Sequence, residues 1–495
     1  METSARLIAR FSSGRKIYFL LAMFAMEIFV PFNRTSAEGI KQRILFAHKP
    51  DTSVSVEIKA GFERKSWPNL SFPNAVLRFY QHNGFQPVWV SPRNNPKQTW
   101  EAMLMLDCVL QFGLSHDDYH PKELSYDLLH NILEKPVMVS DAEKAKYDIT
   151  LTDAVITFMN HLHYGKLNPD FPADKIDAGI AGGFNADEFL ATALLQKDVM
   201  KEIVSVQPKL KAYADLQYQM HLLEGVYQGD CYDIPDSTVR RIAINMERLR
   251  WAGINEDTYI HINIPSYTLK FHQPDTTCEF KVIAGKPGWP TPTLNSAISY
   301  FTTAPEWNVP QKILKTEILP KALKDPAYLE NNHFSIYDEK GNYISPGREA
   351  LLMVEHNPGK YVARQSSGCD NSMGLIVFRF SNIYDIYLHD TPEQQLFKQQ
   401  DRDFSHGCIR VEQAEKLADL MLLQDSSGNL IASVHNSIKR FKTRTFTFKK
   451  AIPIKVTYLT CEMQNGTMVI YKDIYGLDKG LEMALYNVTD PLALN

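Results

Sequence analysis

Two short segments carry residue types able to do covalent chemistry: Tyr387-Leu388-His389-Asp390-Thr391-Pro392 and Phe404-Ser405-His406-Gly407-Cys408-Ile409-Arg410. A cysteine nucleophile needs a base within hydrogen-bond reach and a means of holding its thiolate against reprotonation. His389 and His406 each supply an imidazole with an unperturbed pKa of about 6.5. Gly407 permits close backbone approach, so peptide N–H groups around Cys408 can face a developing oxyanion. A helix outlined by Ala414, Leu417, Ala418 and Met421 starts just after Arg410. Its positive end is a further candidate support for a thiolate, over about one turn.

Local spacing does not decide which histidine is the base. His406 stands two residues from Cys408, so in an extended strand both side chains would share a face. His389 ends an alternating stretch in which Ile383, Asp385, Tyr387 and His389 are expected on one face. Adjacent strand residues point to opposite sides, so Asp390 is expected at the strand end rather than orienting His389. Two plainer readings stand beside the nucleophile: an inert packed thiol, which suits Cys108 and Cys231, or zinc ligation by His389, His406 and Cys408. No His/carboxylate pair at a regular metal spacing supports zinc, and no cofactor is expected.

These residues need elements to hold them. From 74 to about 228 the pattern is mainly helical. In 150–163, Val155, Phe158, Met159 and Leu162 recur at helical spacing, with Thr152 as a cap and Gly165 as a stop. A second helix is predicted over 237–251, with Val239, Ile242, Met246 and Leu249 on one stripe. After Gly253 the texture turns β-rich at 259–264, 278–283 and 375–380. Ile452, Ile454, Val456 and Tyr458 alternate, and Asn465-Gly466 marks a tight turn into 468–471. Pro-rich sequence around Trp307, Pro310, Pro320 and Pro326 is long enough for a subdomain or lid. The expected class is α+β: a lead-in at 38–73, a helical scaffold at 74–253, and a mostly β catalytic domain at 254–445 with an insertion at about 300–345. A β-hairpin and tail at 446–495 would pack on either part.

The 495 residues exceed one ordinary core. Net charge is −4, and no basic tract suits a phosphate backbone, which argues against nucleic acid. Arg6, Arg10, Arg15 and Lys16 precede an apolar run, and Thr35-Ser36-Ala37 offers a cleavage site. That is the layout of a secretory signal at 1–37, cleaved or kept as an anchor, its uninterrupted run falling short of the roughly 20 residues that span a bilayer. The bulk is therefore expected outside the cytoplasm. Six scattered cysteines show no C-x-x-C pair and no disulfide framework.

Ser405-His406-Gly407-Cys408-Ile409-Arg410 with the upstream His389 resembles the signature of the YkuD-type L,D-transpeptidase domain. Ala284-Gly285-Lys286-Pro287, Glu306-Trp307-Asn308-Val309-Pro310, Glu317-Ile318-Leu319-Pro320-Lys321, Asn245-Met246-Glu247-Arg248 and the tail from Tyr458 to Gly476 resemble its large YcbB-like subgroup. The resemblance implies Cys408 as nucleophile and His389 as base. It implies His406 and Arg410 as supports, Ser405 and Gly407 as setters of the loop, and Tyr387 as a hydroxyl near the oxyanion. It further implies a capping role for the insertion and a tetrapeptide peptidoglycan stem as donor. The implied acceptor is a diaminopimelate amine, the implied product a 3→3 cross-link made in the periplasm beside other cell-wall synthases, and the implied covalent inhibitors carbapenems. Alternatives are L,D-carboxypeptidase activity and non-catalytic stem-peptide binding. Two departures stand out: the small peptidoglycan-binding module expected before the Asn-Met-Glu-Arg helix is replaced by a short segment at about 228–236, and Cys369 stands where no family cysteine is expected.

Overall fold

The computed structural model describes residues 52–489, apart from 68, 92–95, 225–234, 255 and 326. The expected export signal, Cys231 and most of the 228–236 segment lie outside the described residues. The helical part centres on Asp141–His163, a helix buried on almost every side. It begins at a capping box, where Ser140 accepts the Glu143 N–H and Glu143 reaches back to Ser140. The sequence reading placed this start at Thr152, which instead sits mid-helix and donates to the Asp148 carbonyl at 2.8 Å. Its first turns carry Asp141, Glu143, Lys144 and Lys146, so apolar periodicity could not reveal them. Gly165, at φ +91, ends the run after Tyr164. The lead-in also needs correction: Thr52–Glu63 is a helix whose Val54 and Ile58 join the scaffold core.

The second part is a sheet closed on itself. Its first strands are β1 (Tyr259–Asn263), β2 (Thr268–Gln273), β3 (Thr276–Gly285) and β4 (Leu294–Thr303). The chain then leaves for an insertion built on β5 (Trp307–Asn308), β6 (Phe334–Asp338), β7 (Tyr343–Ile344) and β8 (Tyr361–Gln365), ordered β5-β8-β6-β7. Leu314, Leu319, Ile336, Leu351, Val354 and Ala363 give it a core of its own. It therefore spans 307–365 rather than about 300–345. Residues 300–303 are still β4, because Phe301 and Thr303 pair with Phe378 and Ile376.

The sheet resumes with β9 (Ile376–Phe380), β10 (Leu388–His389), β11 (Asp403–Ser405), β12 (Ile409–Val411) and β13 (Arg444–Thr457). Strand order is β11-β3-β12-β10-β9-β4-β13-β1-β2, and β2 pairs back to β3. β13 begins at the expected limit of the domain, runs past it, and lies between β4 and β1 in the ring. Inward residues such as Phe378, Leu388, Ile409, Val411 and Ile454 fill the core.

A hairpin of β14 (Cys461–Gln464) and β15 (Thr467–Ile470) turns at Asn465-Gly466, both at positive φ. With the helix Asp478–Leu485 it packs on Ser237–Ala252, which joins the two parts. Asn245 bonds Thr460 through both amide atoms, at 3.0 and 2.8 Å, and Arg248 pairs with Asp478 at 2.7 Å. Glu247 and Arg250, both fully buried, pair at 2.9 Å, while Glu247 accepts the Leu167 N–H. The Asn-Met-Glu-Arg residues thus link helical scaffold, sheet and tail. Among the described residues no helix is long and apolar enough to cross a membrane, and the five described cysteines are free thiols.

Candidate active site

Pairing register places the motif residues on the outer face of the closed sheet. Leu388 pairs with Ile409 and with Phe378, all three buried in the core. Alternation then turns their neighbours outward. One step along, Tyr387 lies between Cys408 and Arg379; one step the other way, His389 lies between Arg410 and Val377. Cys408 and His389 are thus diagonal neighbours on one face, a separation of about 7–8 Å between backbones that an imidazole can bridge.

His389 Nδ1 lies 2.6 Å from the Asp390 carbonyl oxygen. A carbonyl only accepts, so Nδ1 carries a proton toward Asp390, and the Met373 carbonyl is a second backbone acceptor at the ring. Burial, then the Arg410 charge, push the imidazole down to about 3, so it is neutral near pH 7. The Asp390 carboxylate does not face the ring. It accepts the Leu375 N–H at 2.9 Å and the Gln394 amide at 3.0 Å, and orientation of His389 comes from the Asp390 backbone.

The expected alternating stretch before His389 is absent. The Asn382 side chain accepts the N–H groups of Tyr384 and Ile386 at 3.0 and 3.1 Å, and Asp385 takes φ +56. Such an Asx turn competes with strand and leaves Ile383 91% exposed. Only Leu388 and His389 remain extended.

Cys408 sits just before β12, half-buried. Burial pushes its thiol up to about 11, while the Tyr387 peptide N–H and hydroxyl partly offset this by hydrogen bonding. At rest those bonds go to Tyr387 rather than to the His389 ring. The helix Ala414–Gln424 does not help the thiolate, because the whole of β12 separates its start from Cys408. Three residues of strand cover about 10 Å, beyond the first-turn range of a helix end.

His406 does not share a face with Cys408. Gly407, at φ +109, breaks the strand between them, a conformation suited to glycine. His406 turns to the insertion, where Nε2 donates to Glu317 at 2.5 Å and meets the Trp289 edge at 5.0 Å between ring centres. Lys286 Nζ lies 3.8 Å from the same carboxylate. Ser405 Oγ donates to the Cys408 carbonyl and accepts the Gly407 N–H at 3.2 Å, closing the loop. The Gly407 donor is thereby occupied, and the Cys408 N–H has no acceptor among the described residues. Arg410 pairs with Glu393 at 2.5 Å. Among the described residues no group of three or more His, Cys, Asp or Glu is arranged to hold a metal.

Sequence reasoning gave no role to several residues that complete the site. Trp307, on the first strand of the insertion, bonds the Tyr387 hydroxyl. Thr291 donates to the Gly407 carbonyl at 2.8 Å and accepts the Gly285 N–H at 2.9 Å. Tyr475 donates to the Gly285 carbonyl at 2.7 Å and accepts the Thr291 N–H at 3.1 Å. The C-terminal tail thus braces the nucleophile loop. Trp307 and Tyr475 lie within the segments that carried the family resemblance, the one sequence signal that pointed to them, and Thr291 stands four residues beyond another, Ala284-Gly285-Lys286-Pro287.

A thiol and a backbone-held imidazole thus share the outer face of a closed sheet beside an inserted subdomain. Residues 257–446 match the model of the L,D-transpeptidase catalytic domain, YkuD, and residues 74–220 match the model of a scaffold domain. A Haemophilus influenzae protein provisionally named an L,D-transpeptidase is 32% identical over 274 residues, covering 54% of this chain and 55% of that protein. The chain thus spans about half the length of the curated relative it matches. It carries a YkuD-type L,D-transpeptidase catalytic domain behind a helical scaffold.

Proposed function

We propose that the protein is a cell-envelope L,D-transpeptidase of the YcbB-like kind, forming 3→3 peptidoglycan cross-links through a Cys408 thioester. The observation that carries this reading is a neutral His389 imidazole, its Nδ1 held on the Asp390 carbonyl, on the face that Cys408 shares. His389 takes the thiol proton as Sγ attacks the carbonyl of the third residue of a tetrapeptide stem. The Cys408 N–H, with the Tyr387 hydroxyl, holds the oxyanion, a contribution of about 3–4 kcal/mol per donor. The bond to terminal D-Ala breaks, the D-Ala nitrogen receives the proton from His389, and a thioester remains. A diaminopimelate amine on a second stem then attacks the thioester, giving up a proton as the new amide forms and the thiol is restored. The insertion shields the thioester, so that the amine competes with water.

The test is incubation with disaccharide-tetrapeptide and mass analysis of products. Cross-linked dimer with loss of D-Ala is expected. Tripeptide alone would make the protein an L,D-carboxypeptidase. Neither product, with no carbapenem adduct on Cys408, would leave only stem-peptide binding. In the same assay His389→Ala should abolish acylation more completely than His406→Ala; the reverse order would exchange base and support.

A further inference from the structure

One cation beside the nucleophile has no place in the scheme above. Arg379 on β9 stands one residue beyond the Leu388–Phe378 pair and meets the ring of Tyr387, whose hydroxyl bonds the Cys408 thiol, while Tyr300 on β4 pairs with Arg379 on its other side. Tyr300 and Arg379, paired on β4 and β9, thus continue into Tyr387 and Cys408, which stand just before β10 and β12. The guanidinium stands 5.0 Å from the Tyr387 ring centre. Arg379 is half-buried, and among the described residues no ion pair or hydrogen bond takes up its five donors. Asp385, whose charge also reaches the thiol, is exposed and forms no ion pair with it. A part-buried guanidinium left with an aromatic face alone is short of an anion.

The geometry points to Arg379 as the site that binds the terminal carboxylate of the donor stem, one residue beyond the scissile bond. Two strand spacings separate Cys408 from Arg379, about 10 Å at the backbone. In an attacking donor, sulfur stands about 3.5 Å from the scissile carbonyl. One residue of extended chain, about 3.5 Å, leads to the carboxylate, and a charge-assisted bond of about 2.8 Å leads to a guanidinium. A donor of that reach can bridge neighbouring side chains two strands apart, and Tyr387 lies between the two ends, its hydroxyl on the thiol and its ring against the guanidinium. Arg379 then selects donors ending in a free carboxylate and aligns the scissile carbonyl over Cys408. This assignment rests on the donor reading proposed above.

The experiment compares two tetrapeptide donors, one ending in free D-Ala and one in D-alaninamide, with thioester formation on Cys408 followed by mass spectrometry. The wild type should acylate faster from the acid. Arg379→Gln should lose roughly 10- to 100-fold in acylation efficiency on the acid, the worth of a charged hydrogen bond, and little on the amide. Arg379→Lys should fall between the two. Undiminished use of the amide also reports that the variant is folded. Equal losses on both donors would assign Arg379 to supporting Tyr387 and overturn the carboxylate site, as would a wild type that does not distinguish the donors. A wild type that uses neither donor overturns the donor reading itself, and the Arg379 assignment with it.

Discussion

Cys408 and His389 rest as a neutral pair: the thiol is pushed up to about 11 and the imidazole down to about 3. A preformed thiolate–imidazolium pair would alkylate at a constant rate across the acidic and neutral range. Here, alkylation of Cys408 by iodoacetamide should instead climb through pH 9 towards 11, and a plateau below pH 7 would contradict this. Substrate acylation needs His389 neutral, which holds above its own pKa, so the acid limb of the pH–rate profile should lie well below pH 6. Arg410 is the second cause of that depression after burial, so Arg410→Gln should move the limb to higher pH. The segments that hold Cys408 and His389 were legible in the sequence as residue types able to do covalent chemistry, and the roles of nucleophile and base proposed for them come from the family resemblance. The partner of the base was not, because a main-chain carbonyl orients it and any residue type at 390 carries one. The face of Cys408 relative to His406 was misread because Gly407 at positive φ reverses the alternation.

Among elements, the insertion reaches the site through side chains on different segments, including Trp307 at its first strand and Glu317 on the π-helical stretch Leu314–Ile318. Glu317 joins His406 of the nucleophile loop to the lid, so its loss should loosen the cover without removing a reacting group. Glu317→Gln should raise hydrolysis relative to cross-linking by up to about fivefold, because a part-exposed ion pair is worth ~1 kcal/mol at most. Product ratios measured at saturating acceptor test this, and an unchanged ratio would remove the shielding role. The insertion was visible as Pro-rich sequence, but its extent was not. β8 returns to pair with β5 and β6 only through long-range contacts, which no local pattern reports. The hairpin turning at Asn465-Gly466 was legible because two adjacent residues specify that turn.

At the scale of the whole molecule, Ser237–Ala252 is where scaffold, tail and sheet meet. Glu247 and Arg250 are both removed from water, so each depends on the other for compensation. Glu247→Ala leaves Arg250 buried without its counter-charge, bonded only to the Phe112 carbonyl and the Tyr213 hydroxyl, and should cost about 3 kcal/mol, seen as a lower urea midpoint. A shift under about 1 kcal/mol would mean that the pair is not the joint described. The two-part α+β division was readable from the change of periodicity near 253, but the closure of the sheet was not. It depends on β13, which pairs in parallel with β1 and antiparallel with β4. That strand is synthesised after every other member of the ring, with Ile454 meeting Ile260 from the opposite end of the domain. A nascent chain ending before it would already contain the reactive sulfur, yet would leave β1 and β4 as open edges prone to pairing with other chains. The closed ring that holds Cys408 and His389 together therefore forms only with late synthesis, and incomplete copies would carry exposed strand edges open to proteases.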